Sequence, residues 1–186
     1  MGCIDYKEEL CVIEVGEEFF SEMEARASTG KAGEVVMVVP RKDGEILLHT
    51  KEFYPNGIYR LPTGKLQPDE DPDVGFLREF QEELGQQGIV DKRMGALHHR
   101  FVHKDKLTEF VSYIYLSKPI TQEPVPEDEE EQISGFKYIP VHDLNSVAAE
   151  LRALQGRWTD WGCFRAEAHA FVARQLVGES DGDYEI

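Results

Sequence analysis

RLPTGKLQPDEDPDVGFLREFQEELG, Arg60 to Gly85, holds seven carboxylates in 26 residues, in a chain whose flanking segments read as folded core. The second half of this stretch reads as one helix. Asp71 is a capping residue, and Pro72 suits the first helical position, where no amide hydrogen is needed. Val74, Leu77, Phe80 and Leu84 recur at three- or four-residue spacing and predict an apolar stripe resting on a core. Gly85 is a natural stop. Glu79, Glu82 and Glu83 then fall on a different face, where Glu79 adjoins both of the others. Like charges at that spacing destabilise an exposed helix by roughly a few tenths of a kcal/mol per pair, and by more once partly desolvated.

Two arrangements offset the repulsion. One is a solvated acidic face, eased by Arg78 four residues before Glu82. The other is a divalent cation. Hard ions such as Mg²⁺ prefer carboxylate oxygens and keep several waters, which leaves positions open for phosphate oxygens. The preceding loop favours the cation. Gly64 permits a tight loop with backbone close to a ligand. Glu70, brought back by that loop, can orient the helix carboxylates or Arg78.

The rest of the chain bounds the reading. Its 186 residues predict one domain, large enough to bury roughly 70% of its unfolded surface. A net charge of −16 argues against a nucleic-acid polymer or a membrane surface as partner, since both are anionic. An acidic chain can still bind a small anion with a cation between them. The start, MGCIDYKEEL, has neither the basic residues nor the apolar run of a secretory signal. Tyr6 stands where a myristoylation signal wants Ser or Thr. Cys3, Cys11 and Cys163 are odd in number, lack metal-type spacing, and predict free thiols in a reducing cytoplasm.

The segments predict an α/β architecture. Residues 17–28 have helical spacing in Phe20, Met23 and Ala27. EVVMVVP reads as a buried strand, with EILLHT as its hairpin partner across Lys42-Asp43-Gly44. IVDKRMGALHHRFVHK and LTEFVSYIYLS read as paired strands, PEDEEEQ as an acidic loop, and FKYIP as a short strand. VHDLNSVAAELRAL and WGCFRAEAHAFVARQL read as closing helices. Residues 1–30 read as an N-terminal extension, and 178–186 as a loose acidic tail. Mixed strands with helices at both ends predict an α/β sandwich.

The quoted stretch resembles the Nudix box: Gly, five residues, Glu, seven residues, Arg-Glu, an apolar residue, any residue, Glu-Glu, any residue, Gly, apolar. Gly64, Glu70, Arg78, Glu79, Phe80, Glu82, Glu83 and Gly85 fill eight of its specified positions. Gln86 departs from the last apolar position, where Ile89 can take over the packing. Thr63 stands where a second Gly often precedes the box. The resemblance implies a Nudix-type α/β/α sandwich with a mixed central sheet. It also implies hydrolysis of a phosphoanhydride bond in a nucleoside diphosphate linked to another group, with Mg²⁺ as cofactor and Mn²⁺ as a substitute. Glu79, Glu82 and Glu83 would hold metal, with Glu79 as ligand or base, and Arg78 would orient Glu70. The Thr63 carbonyl would be a further metal ligand. Homodimers are frequent in the family.

A carboxylate from outside the box would complete the metal site, and Glu130 or Glu131 in the acidic loop is the candidate, with Glu109 competing. Lys65, Tyr59 and Arg60 are candidates for substrate contact; for Lys65 a solvated loop position is the competing reading, and for Phe53, Tyr54 and Tyr59 it is core packing. His98, His99 and His103 lack helical metal spacing and read as a polar strand face. Trp158 and Trp161 read as packing anchors. The competing functional classes are a nucleotide-binding regulator without catalysis and an isomerase acting on an allylic diphosphate. The intact Arg-Glu and Glu-Glu pairs oppose the first. Cys163, far in sequence from the box, opposes the second.

Overall fold

Alternation along EVVMVV sets the layers. In strand β2 (Gly33–Val38) Val35 and Met37 enter one apolar cluster with Phe76, Phe80 and Leu84, while Val36 and Val38 enter another with Ala166, Phe171 and Val172. A strand buried on both faces has no polar side to show, so it reads as an unbroken apolar run. The computed structural model describes residues 6–177. The Met1-Gly2-Cys3 start and the expected tail at 178–186 lie outside the described residues.

β2 lies inside a five-stranded sheet. Its other members are β1 (Lys7–Glu14), β4 (Thr63–Lys65), β5 (Val90–His103) and β6 (Lys106–Ser117), in the order β1-β5-β6-β2-β4. The β1–β5 and β2–β6 pairings are parallel and the others antiparallel, which makes the sheet mixed. Helix α2 (Pro72–Leu84) packs on one face, and α3 (Leu144–Arg152) and α4 (Thr159–Val177) on the other. Helix α1 (Glu17–Ser28) sets Phe20 and Met23 into a third cluster with Phe101, Phe110 and Phe164. The segment before residue 31 thus supplies an edge strand and a packed helix to the same body.

Two local readings change. EILLHT forms β3 (Ile46–Lys51), but only its base bridges back, through Pro40 and Ile46; its length pairs with β7 (Ile133–Ile139) in a separate two-stranded sheet. That partner arrives more than 80 residues later, so no local turn signal announces it. In α2 the buried stripe is Phe76, Phe80 and Leu84, while Val74 and Leu77 are 57% and 48% exposed. Phe80 and Leu84 fit both stripes, so spacing alone left the phase of the helix undecided. The ends of α2 follow from the sequence. The Asp71 carboxylate accepts from the Asp73 amide, Pro72 opens the helix, and Gly85 closes it at φ 66°.

Candidate active site

The site is built on the flank of α2 that faces β4. Gly64 lies in β4, paired with Val35, and a Cβ there would stand 1.9 Å from Glu79 Cγ. Only glycine lets the Glu79 side chain lie on the strand backbone. The loop that follows folds back through a left-handed Asp69, φ 59°, and the Gln67 amide donates to Glu70 Oε2. Asp tolerates that backbone region better than most side chains.

Arg78 gathers the box. Its Nε and one terminal nitrogen donate to the two Glu70 oxygens at 2.9 and 2.8 Å. The other terminal nitrogen donates to Glu79 Oε1 at 2.7 Å and Glu82 Oε2 at 2.9 Å. The terminal nitrogen that bonds Glu70 also donates to the Lys65 carbonyl at 2.9 Å. This planar fork fixes three carboxylates at once, which an ammonium could not do. The hydrogen bonds from Arg78 hold Glu70 below the usual carboxylate range. Burial pushes Glu79 up to about 7 in spite of Arg78.

Glu83 has different company. Its carboxylate is fully buried, and neither oxygen has a hydrogen-bond partner. His49 Nδ1 stands 3.7 Å from one oxygen and Lys51 Nζ 3.8 Å from the other. Burial pushes Glu83 up to about 8, with Lys51 and Arg60 pulling against it and Glu131 and Glu79 adding to it. Lys51 also ion-pairs with Glu131. Burial opposes ionisation of Glu131, but Lys51 prevails and lowers it.

The outer carboxylate arrives because its loop is bonded to the end of α2. The Glu127 and Asp128 amides donate to the Glu82 carbonyl, and the Val125 amide to the Leu84 carbonyl. A helix end leaves such carbonyls without partners. Asp128 then caps a short 3₁₀ turn, Glu129–Glu131. Of the two candidates in that turn, Glu131 faces Lys51, whereas Glu130 is exposed. Glu109 is elsewhere, in an exposed ion pair with Arg100 on β5.

The other candidates separate. Lys65 is exposed on β4, beside Gly64. The Thr63 hydroxyl accepts from Arg60 at 2.9 Å. Arg60 is buried, not open to a ligand: it also donates to the Tyr54 hydroxyl and the Leu61 carbonyl. Tyr59 is half-buried with Lys137 4.6 Å above its ring. Tyr54 is buried against Trp158 and Trp161. His98 stands 3.5 Å from Glu8, His99 bonds the Ser112 hydroxyl, and His103 bonds the Val15 carbonyl, none of them beside the box.

His49 and Lys51 are the site residues that sequence reading missed. They lie two apart on β3, so a period of two puts both on the face of Leu47, toward α2. That spacing was the available signal, but its meaning depended on where β3 runs.

Among the described residues no three His, Cys, Asp or Glu stand ready as a metal cage. The donor set nevertheless suits a hard cation. Four carboxylates, Glu79, Glu82, Glu83 and Glu131, lie within ion-pair reach of Arg78 or Lys51, and both Glu83 oxygens are buried and unbonded.

Comparison with known proteins bears on the family and the fold. The NUDIX domain model matches residues 31–162, well over half of the chain. A MutT-like protein of Streptomyces ambofaciens is 35% identical over 85 residues, 46% of this chain and 50% of that protein. A CTP pyrophosphohydrolase of Escherichia coli is 35% identical over 71 residues, 37% of this chain and 52% of that protein. The chain thus spans about half the length of the curated relatives it matches. Among solved structures, the E. coli ORF135 protein superposes with a TM-score of 0.54 at 15% identity, covering 86% of this chain and 98% of that one. The MutT protein of Methanosarcina mazei Go1 superposes with a TM-score of 0.52 at 16% identity, covering 80% and 94%. At such identity the likeness is one of fold, and it is the α/β fold with a mixed sheet described above. With the domain match spanning β2 through the start of α4 and the box in register on α2, the chain belongs to the Nudix family.

Proposed function

We propose that this chain is a Nudix-type pyrophosphohydrolase, cleaving a phosphoanhydride bond in a nucleoside diphosphate linked to another group. One observation carries the reading: α2 and the 129–131 turn bring carboxylates together around Arg78 and Lys51, with Glu83 buried and unbonded. Glu82, Glu83 and Glu131 are the residues that would hold Mg²⁺, or Mn²⁺ in its place, with the Thr63 carbonyl as a further oxygen. Such a cation, when bound, neutralises phosphate charge and acidifies water.

The remaining work falls to side chains. Glu79 Oε1 is held by Arg78, and its Oε2 lies over Gly64. With Oε1 engaged by Arg78, Glu79 Oε2 is the oxygen left to accept a proton from water. Arg78 and Glu70 keep that group and Glu82 in place. Lys65, exposed beside Gly64, meets a phosphate oxygen. Tyr59, half-buried under Lys137, is the aromatic candidate for substrate contact.

The E. coli relative is named a CTP pyrophosphohydrolase. The test is phosphate release, after phosphatase treatment, from nucleoside triphosphates, nucleotide sugars and dinucleoside polyphosphates, with and without Mg²⁺. Turnover of one class with Mg²⁺ is expected, and its loss in Glu82→Gln with the circular-dichroism spectrum unchanged. Binding of nucleotide with no release from any class would instead identify a regulator.

A further inference from the structure

We propose that Lys51 is a resident counter-cation: its ammonium holds Glu83 and Glu131 until a divalent ion takes them, and then turns to a phosphate oxygen of the substrate. This rests on the metal-dependent reading above.

The argument begins with how Lys51 is aimed. It ends β3, where the register against β7 shifts between Thr50 and Lys51. Such a bulge redirects a side chain at a strand end. The next amide, of Glu52, donates to the Gln132 carbonyl at 3.0 Å, which ties the strand end to the turn that carries Glu131. Gln132 itself is left-handed, φ 52°, so the turn ends in a backbone region that side chains seldom adopt. Lys51 is therefore held against Glu131 by the main chain of both segments.

Its partners are unequal. Glu131 is in direct ion-pair contact. Glu83 stands 3.8 Å from Nζ, and neither of its oxygens is hydrogen-bonded. Lys51 stands beside Glu83 without bonding its oxygens, so a cation that bonds those oxygens displaces it. The side chain is 10% exposed, and no other carboxylate is within its ion-pair reach among the described residues. A divalent ion on Glu83 and Glu131 would leave the ammonium beside a like charge, which repels it. Arg78 does not share this fate, because Glu70 holds it through two bonds and the Lys65 carbonyl through a third. A four-carbon stem lets Lys51 swing, and the anion that metal brings to this site is phosphate.

Two measurements test this. The first is reductive methylation of the intact protein, with Lys51 followed by mass spectrometry and exposed Lys104, in the turn between β5 and β6, as internal reference. Lys51 is expected to be protected in chelator, to become several-fold more reactive with Mg²⁺ alone, and to be protected again with Mg²⁺ and methylene diphosphonate. Equal Lys51 reactivity in all three states overturns the proposal. The second is Mn²⁺ binding, read by electron paramagnetic resonance without substrate. Lys51→Met is expected to bind Mn²⁺ roughly tenfold tighter, the scale of one partly desolvated like-charge contact, and Lys51→Arg to stay near the parent. Equal or weaker Mn²⁺ binding by a folded Lys51→Met overturns it too. A parent that binds Mn²⁺ but hydrolyses nothing removes the catalytic reading and leaves the exchange standing. A parent that binds no Mn²⁺ removes both.

Discussion

Glu79 occupies the volume where any other residue at position 64 would place its Cβ. The strand and the carboxylate are thus fitted to each other, and Gly64→Ala must expel Glu79 from the backbone. The expected result is loss of at least about a hundredfold in kcat with the fold retained, because a catalytic group displaced by about 1 Å can lose that much. Steady-state kinetics with circular dichroism decides it; turnover at the parent rate would show that Glu79 need not lie on β4. At this scale the sequence was informative about residue types in the box, since Gly64, Glu70, Arg78 and the three glutamates form a local pattern. It said nothing of Lys51 and His49, whose roles arise from a strand pairing far along the chain. Arg60, a candidate for substrate contact, is not open to a ligand. The guanidinium is buried among Tyr54, Leu61 and Thr63.

At the scale of the element, α2 shows why helical periodicity can be right in kind and wrong in phase. Its ends were legible, because caps depend on a few adjacent residues. Its buried stripe was not, because Glu79 and Glu83 take core-facing positions that polarity assigns to solvent. The phase can be measured by substitution. Phe76→Ala is expected to destabilise by about 3–5 kcal/mol, and Leu77→Ser by no more than about 0.5 kcal/mol. Urea unfolding of both variants gives the comparison, and equal losses would restore the stripe through Val74 and Leu77.

At the scale of the whole molecule, three histidines are buried in different places. Burial lowers all of them: His49 well below its usual value, His99 to about 4 and His169 to about 3. His169 on α4 accepts the Leu61 amide at 2.9 Å and bonds the Arg165 carbonyl at 2.8 Å, linking the helix to the segment before the box. The folded pKa lies below the unfolded one, so this stabilisation is complete above about 6.5 and is lost as pH falls toward 3. Glu79 and Glu83 titrate in the opposite sense, so the clean quantity is the stability gap between the parent and His169→Gln. The gap is expected to narrow by about 2 kcal/mol from pH 7 to pH 5. A gap that stays constant in denaturant titrations would mean that His169 is not held neutral. The layer order was legible from apolar runs and helical spacing, while the parting of β3 from the main sheet was not, because its partner strand is remote.

The bonds from the Val125, Glu127 and Asp128 amides onto the last carbonyls of α2 make one cooperative unit of two stretches some 40 residues apart. Fraying of that helix end would release the turn bearing Glu131 in the same event, so the outer carboxylate has no independent opening of its own. Deuterium uptake at the Val125 and Glu127 amides should therefore keep pace with uptake at the end of α2, and divalent ions should slow both together.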